Sequence, residues 1–390
     1  MPTFALSEEQ EAIRAHAHSF AANSIRPLAA QLDRSGEYPA EIVREAWAAG
    51  LSWGFVPKEL GGVGLSLFDQ CLIDEEISWG CLGMWTSIML PMHLGYTPII
   101  RFGNDSQRQR WITPLSGELQ MACFCLSEPS GGSDAFEHQT QAVRDGDAYV
   151  LNGAKQWITN SGHADLYVVF ARLADTPPPR NQIALVVERG TPGLSVGSPE
   201  DKLGVRCSDT RAVFLEDCRV PVGHRLGAEG DGGRIARRSL LEGRPKVAAA
   251  ATGLARAALE HASAYALERK VGGKPIATRQ LIQAKLADMV RHVTASRLLV
   301  WNACWHLDNG KPAELESSMA KYAAADAAVQ VATEAVQIFG ANGCTTDYPV
   351  AKLYRDAKLT QIGEGTNEIQ QLIIASQWIA QTIREQSRRR

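Results

Sequence analysis

The hydrophobic pattern of the sequence changes twice along the chain, and this change constrains the fold more than any other feature. The first part has apolar residues at helical spacing, with glycine-rich breaks between the runs. The middle part has short apolar runs separated by turn residues, and the last part returns to long helical spacing. The sequence therefore predicts an α+β protein of three domains. These are an N-terminal all-α domain (1–117), a compact middle β-domain (118–226) and a C-terminal four-helix bundle (227–390).

The start of the middle part combines a strand with a tight turn. Residues 121–126 alternate apolar and small side chains, which predicts a strand, and Pro129 to Gly132 break it. Such a turn presents backbone N–H groups outward. The hydroxyls of Ser127 and Ser133 stand beside it, and the loop has no Lys. It therefore suits a polar cofactor edge and a pyrophosphate better than a nucleoside triphosphate with its metal.

A second segment closes this region on Lys155-Gln156-Trp157-Ile158-Thr159-Asn160. Asn152-Gly153 predicts a turn before it. Trp157 and Thr159 are two residues apart on a predicted strand, so we expect both on one face, where a flat heterocycle could pack. Each half of the region, taken alone, fits a β-hairpin with a buried Trp better.

Composition excludes several classes of protein. A formal charge of −3 over 390 residues gives no electrostatic footprint for nucleic acid. No apolar run is long enough for a membrane span, and the N-terminus does not resemble a signal peptide, so we expect a cytoplasmic protein. The eight cysteines are scattered, and Cys123 and Cys125 have no partner pair that would complete a metal site.

A glycine-flanked carboxylate precedes the last predicted helix. Glu364 lies between Gly363 and Gly365, and Thr366 or Asn367 can cap the helix that follows. The glycines let the backbone approach a ligand closely. Taken alone, a Glu in such a loop is more often a surface residue than a catalytic one.

Together these segments resemble the acyl-CoA dehydrogenase family over nearly the whole chain. The resemblance rests on motifs in family order: CLSEPSGGSD, LNGAKQWITN, KLGVRCSDT, EGR, YALERK, AVQIFGANG, YPVAKLYRDAK and EGTNEIQ. It implies an acyl-CoA dehydrogenase-like fold with a β-barrel-like middle domain, an FAD cofactor and dehydrogenation of an acyl thioester.

The resemblance also implies residue roles on the flavin side. The ring edge and pyrophosphate of FAD would contact Leu126, Ser127, Gly132 and Ser133. Trp157 and Thr159 would flank the isoalloxazine. Arg269 and Gln337 match positions that reach the FAD of a neighbouring subunit, which implies a homodimer or homotetramer. Thr366 and Glu368 match positions near the adenosine.

On the substrate side, the resemblance makes Glu364 the catalytic base. Ser133, Arg244 and Gly363 would lie beside the acyl thioester, carried by CoA or by an acyl carrier protein. An electron-transfer flavoprotein would accept the electrons. An oxidase or monooxygenase on the same fold, or a flavin- or thioester-binding protein without turnover, remain alternatives.

Three positions depart from the family pattern. Gly272 stands in Arg269-Lys270-Val271-Gly272-Gly273 where the family usually has an aromatic residue, which puts cofactor affinity or the contact with the partner's flavin in doubt. Ala341 replaces a frequent Gly. Gly363 replaces a frequent Tyr, which either opens space for a branched or unusual acyl group or is compensated by neighbouring residues.

Overall fold

The computed structural model describes residues 5–389, and its first domain is helical. Ser7 begins the first helix with a capping box, in which its side chain accepts from the Gln10 amide. The helices are α1 (Glu8–Phe20), α2 (Ala29–Ser35), α3 (Ala40–Ala48), α4 (Leu67–Gly80), α5 (Leu82–Ile88), α6 (Leu90–Phe102) and α7 (Asp105–Trp111).

The middle domain contains one sheet, in which eight strands of the described residues pair. The hydrogen-bonded order is β6-β7-β3-β2-β4-β5-β8, and β1 pairs in parallel with β4. Its strands are β1 (Ala122–Cys125), β2 (Gln141–Asp145), β3 (Ala148–Thr159), β4 (Leu166–Leu173), β5 (Gln182–Glu188), β6 (Leu194–Val196), β7 (Thr210–Pro221) and β8 (Arg225–Leu226).

Both faces of this sheet are buried. Tyr167 and Val169 of β4 pack into a core within the β-domain. Val168 and Phe170 point to the opposite face, where they join a second core with Tyr96 of α6. The second face of the sheet therefore packs directly against helix α6 of the N-terminal domain.

Strand β3 differs from the prediction at two places. Asn152-Gly153 is not a turn but a register shift inside a continuous strand, where β3 pairs with β7. A second irregularity falls between Lys155 and Ile158, and Trp157 there has φ 62°. These bulges break the two-residue alternation of a regular strand. The spacing of Trp157 and Thr159 therefore does not place them on one face, and the prediction that used this spacing was wrongly argued.

The C-terminal domain is helical. Its long helices are α8 (Gly232–Glu268), α9 (Gln280–Asp308), α10 (Glu314–Phe339) and α12 (Asn367–Arg389), and the short α11 (Val350–Thr360) was not predicted. The strands β9 (Lys270–Val271) and β10 (Lys274–Pro275) form a small hairpin after α8. None of the helices within residues 5–389 is long and apolar enough to cross a membrane.

Helix α8 is the element around which the two helical domains pack. Ala248 to Ala251 are all buried. At Gly253 an added Cβ would overlap the Glu75 carbonyl oxygen of α4, so the two backbones approach as closely as glycine allows. Glu75 in turn accepts from Arg256 of α8 at 3.1 Å and from Arg297 of α9 at 2.6 Å. The N-terminal helices are thereby fixed to the bundle.

Candidate active site

All three domains border one large cavity. Its volume is about 1180 Å³, larger than a site for a single drug-sized ligand. The N-terminal wall is apolar and the β-domain wall carries hydroxyls, while the bundle supplies charged side chains. The residues that carry the argument below are Trp85, Leu94, Leu126, Ser127, Gly132, Ser133, Trp157, Thr159, Arg244, Gly363, Glu364 and Thr366.

The loop between α11 and α12 brings Glu364 to the cavity. Glu364 has φ 53° and Gly365 φ 91°, so two successive residues adopt left-handed backbone. The buried Lys321 of α10 holds this loop by donating to the Gly365 carbonyl at 2.7 Å and to Asn367 Oδ1 at 3.1 Å. Thr366 caps α12 by accepting from the Ile369 amide.

The Glu364 carboxylate is buried and has no hydrogen-bond partner. Neither Oε1 nor Oε2 finds a donor among residues 5–389. Oε2 lies against Gly243 of α8, where an added Cβ would overlap it. Burial raises the pKa of Glu364 to about 7, although Lys246, Lys321 and Arg244 act to lower it. The group is thus close to a neutral-pH base in proton affinity.

Arg244 lies on the same wall as Glu364. Burial lowers the pKa of Arg244 below its ordinary value, and the charges of Glu364 and Glu314 oppose this. Its Nη1 donates to the Ser318 hydroxyl at 3.4 Å, and its Nε has no partner among the described residues. A buried guanidinium with an unused donor is suited to bind an oxygen-rich ligand.

The hydroxyl-bearing wall is anchored by a buried ion pair. Lys155 of β3 donates to Glu128 Oε1 at 2.7 Å and to the Leu126 carbonyl at 3.2 Å. Glu128 also accepts from the Gln139 and Thr140 amides. Burial would raise the pKa of Glu128, but hydrogen bonds from His138 and Lys155 lower it below its ordinary value. The two halves of the region at 121–160 are therefore locked together.

Trp157 and Thr159 both line the cavity. The Trp157 side chain is 60% exposed, against the alternative of a hairpin with a buried Trp. An exposed indole on strained backbone leaves most of its ring uncovered by residues 5–389, so it suits a flat ring bound from the cavity.

Three predicted cofactor residues lie outside the lining of this cavity. Arg269, Gln337 and Glu368 are exposed. The Gly272 departure after Arg269 has a structural result: Gly272 and Gly273, with φ 61° and 77°, turn the chain into the hairpin of β9 and β10.

Four of the residues that build the site were not predicted as site residues. They are the Glu128–Lys155 pair, Gly243 beside the carboxylate, and Lys321 under the loop. The motifs around Glu128, Lys155 and Gly243 were recognised, but only the fold shows which of their side chains meet.

The domain order agrees with known sequence families. Residues 7–118 match the acyl-CoA dehydrogenase N-terminal domain, 123–218 the middle domain and 230–379 the C-terminal domain. The chain belongs to the acyl-CoA dehydrogenase family. Membership makes it an FAD-dependent flavoprotein oxidoreductase that acts on CH–CH groups, as the resemblance in sequence predicted.

Individual members of the acyl-CoA dehydrogenase family are similar over nearly their full length. The chain is 43% identical to the mitochondrial short-chain specific acyl-CoA dehydrogenase of Rattus norvegicus, covering 95% of this chain and 90% of the relative. Butyryl-CoA dehydrogenase from Megasphaera elsdenii has a TM-score of 0.94 at 37% identity, covering 97% of this chain and 100% of that one. The prolyl acyl carrier protein oxidase AnaB has a TM-score of 0.92 at 29% identity, covering 95% and 99%.

The residues present fit FAD. The exposed Trp157 and the hydroxyls of Ser127, Ser133 and Thr159 share one wall of the cavity. This combination of an aromatic plane and polar donors suits a flavin ring, and the volume leaves room for a substrate beside it.

Proposed function

We propose that the chain dehydrogenates a short acyl thioester and that Glu364 removes the α-proton. The observation that carries this proposal is the Glu364 carboxylate, which is buried on the cavity wall with neither oxygen hydrogen-bonded within residues 5–389. A structural carboxylate would be paired, because leaving it unpaired costs stability. A base needs free oxygens at the point where substrate arrives.

Besides the base, the reaction requires a group that polarises the thioester carbonyl. A thioester α-proton is too weakly acidic for a carboxylate in water, so the carbonyl must be polarised as the proton leaves. The Glu364 backbone N–H has no acceptor among the described residues, and this frees it to donate to a thioester oxygen. FAD, when bound, supplies the acceptor for the β-hydride. The product is then a trans-2-enoyl thioester.

The substrate wall favours a small apolar acyl group. It is lined by Leu90, Leu94, Leu241 and Val247, with the bulky Trp85 among them. At Gly363 an added Cβ would be in ordinary van der Waals contact with Leu359, at 3.5 Å or more, so one further carbon fits there without a clash. We propose a short substrate on CoA, and that the absence of a side chain at Gly363 accommodates a branch; Ser133 and Arg244 would lie beside the thioester.

Cofactor roles follow the same proposal. The flavin ring edge and pyrophosphate would contact Leu126, Ser127, Gly132 and Ser133. Trp157 and Thr159 would flank the ring, and Thr366 and Glu368 would lie near the adenosine. Arg269 and Gln337, which are exposed, would reach the FAD of a second subunit in a homodimer or homotetramer.

Two further proposals concern the surroundings of the enzyme. An electron-transfer flavoprotein would take the electrons, as the family resemblance implies. We also propose the cytoplasm as the compartment from the sequence, although the rat relative is mitochondrial.

The base is tested with Glu364→Gln. We expect the purified variant to keep its yellow flavin and to lose bleaching by butyryl-CoA under anaerobic conditions, a loss of at least about 100-fold in rate. Glu41→Gln, at an exposed position of α3, is the matched control and should bleach normally. Bleaching of Glu364→Gln at the native rate would remove Glu364 from the mechanism.

A second candidate is oxidation of a carrier-bound acyl group by oxygen. It is favoured by the similarity to the prolyl acyl carrier protein oxidase and by the absence of a side chain at Gly363. The test compares butyryl-CoA with the same acyl group on a carrier protein and admits air after bleaching. Rapid recolouring and a preference for the carrier protein would support this candidate, whereas persistent bleaching by the CoA thioester supports the dehydrogenase.

A further inference from the structure

A second group of charged residues is buried directly behind the cavity wall. Asp74 of α4 is 0% exposed, His93 of α6 is 3% exposed and Lys246 of α8 is 5% exposed. Isolated charges are rarely buried this deeply, because desolvation is costly. The catalytic chemistry above uses none of the three, so their position needs a separate account.

Asp74 and Lys246 are each connected to a residue that lines the cavity. Asp74 Oδ1 accepts from the Trp85 indole at 2.7 Å, and Trp85 lines the cavity. Lys246 stands one helical turn after Gly243, against which the Glu364 carboxylate rests. Since positions three apart share a face of an α-helix, Gly243 and Lys246 present the same side of α8.

His93 does not supply the positive charge of this group. Its Nδ1 is 3.7 Å from Asp74 Oδ1 and has no hydrogen bond among residues 5–389. Burial and the Lys246 charge hold the pKa of His93 well below its ordinary value. The imidazole is therefore neutral, and Lys246 is the cation whose charge acts on Asp74.

Lys246 is not committed to a single carboxylate. It has no ion pair within 4.0 Å among the described residues, and its ammonium lies 5.9 Å from the centroid of the Phe55 ring. Burial lowers the pKa of Lys246, while Asp74, Glu242 and Glu364 all oppose this. The Lys246 charge therefore interacts with Asp74 and Glu242 as well as with Glu364.

The charged and titratable groups around Glu364 come from several helices. They are Asp74 and Cys71 of α4, His93 of α6, Glu242, Arg244 and Lys246 of α8, and Glu314 and Lys321 of α10. Of the cations, Arg244 lines the cavity and Lys321 is hydrogen-bonded to the loop backbone. Of these cations within residues 5–389, Lys246 is the one that neither lines the cavity nor hydrogen-bonds to the loop.

We propose that Lys246 and Asp74 are a buried pair of positioning residues that acts on Glu364 from behind the cavity wall. Lys246 favours the charged carboxylate, and Asp74 opposes it. This inference rests on the proposed role of Glu364 as the base. Lys246 would keep Glu364 able to accept a proton at neutral pH although burial alone would neutralise it, and Asp74 would limit this effect. Burial raises the pKa of Asp74 to about 7 as well, and the charge of Glu364 contributes to this.

The test uses the holoenzyme and variants with opposite expected signs. In Lys246→Met the pH midpoint of anaerobic flavin bleaching should rise by about one unit, because a cation is removed near the base. In Asp74→Asn, which retains an acceptor for Trp85, the midpoint should fall. Lys246→Arg keeps the charge and should restore the native midpoint.

A second measurement does not depend on turnover. The carboxyl stretching band of Glu364, assigned by its absence in Glu364→Gln, is titrated by infrared spectroscopy in the substrate-free holoenzyme. The band should titrate at the same shifted midpoints as bleaching. Flavin content and Tm identify a variant that fails to fold, and in that case Asp74→Asn decides alone by the sign of its shift.

The outcomes separate this inference from the proposed function. If Glu364→Gln is inactive but Lys246→Met and Asp74→Asn leave the midpoint unchanged, or move it in the same direction, the pair does not act on the base. If Glu364→Gln bleaches at the native rate, the proposed function itself fails.

Discussion

At the scale of single residues, the site depends on a carboxylate that accepts no hydrogen bond from residues 5–389. Glu364 lies between glycines in a left-handed turn, and Gly243 leaves room for its oxygens. The electrostatic consequence is a base whose pKa is raised by burial to about 7. This sets the pH dependence of the reaction.

We expect the rate of anaerobic flavin bleaching to fall as the pH drops through about 7. Below that value Glu364 becomes protonated and no longer accepts the α-proton. Stopped-flow absorbance across pH 5.5 to 8.5, roughly the range of stability of such proteins, provides the measurement. A rate that is flat across this range would contradict the raised pKa.

The same burial has a cost in stability. Unfolded Glu364 ionises at its ordinary pKa, so between that value and about 7 the folded protein holds a proton that the unfolded chain has lost. Stability therefore falls as the pH rises through this window. We expect Glu364→Gln to have a Tm a few degrees above the native protein at pH 8, with the difference vanishing near pH 4.5. Equal Tm values at pH 8 would contradict the burial cost.

The sequence predicted Glu364 through its glycine-flanked motif, but not its environment. Gly243 was visible only as part of a motif, because its contact with Glu364 requires α8 to pass under the loop. Lys246 had no motif at all. Contacts between distant segments do not follow from local pattern, and they decide the charge state of the base.

At the scale of secondary-structure elements, strands were predicted correctly around residues 121–160, but a turn was predicted inside what is one continuous strand. A strand, a turn and a second strand were expected around 121–160, and the strands β1 and β3 are present. Asn152-Gly153, however, is a bulge, because β3 continues its pairing with β7 through it. Tertiary pairing overrode the local turn signal.

Within these elements we predict that the Glu128–Lys155 pair holds the flavin wall. Lys155→Met leaves the Glu128 carboxylate buried without its cation, which should destabilise the protein by about 3 kcal/mol and weaken FAD binding. Urea unfolding and flavin release on dilution measure the two effects.

The double variant Glu128→Gln with Lys155→Met is the matched control. It removes both charges and should recover part of the lost stability. No loss in Lys155→Met, or a double variant that is less stable by the sum of both single changes, would contradict the pairing.

At the scale of the whole molecule, the three-part plan of the sequence is confirmed by the fold and by the family domains. The packing of the parts was not predictable. The close contact of α8 with α4 depends on Gly253 and on the buried pairs of Glu75, whose partners Arg256 and Arg297 lie on α8 and α9. The domain limits 1–117, 118–226 and 227–390 remain predictions.

We predict an oligomer from the surface of the bundle. Several large apolar side chains are at least half exposed on α9 and α12: Leu281, Val290, Leu372, Trp378, Ile379 and Ile383. Ile383→Asp should shift the protein to a smaller species in light scattering coupled to size exclusion. Ser387→Asp, on the last turn of α12, serves as control. A native protein that is already monomeric would overturn this prediction.

The left-handed backbone of Glu364 also has an evolutionary consequence. A residue with a side chain at φ 53° costs about 1 kcal/mol or more, and Gly or Asn would relieve it. In a library selected only for folding, position 364 should drift to these residues. Selection for turnover should keep Glu. Comparing the two enriched pools would measure how much stability is lost at position 364 in return for activity.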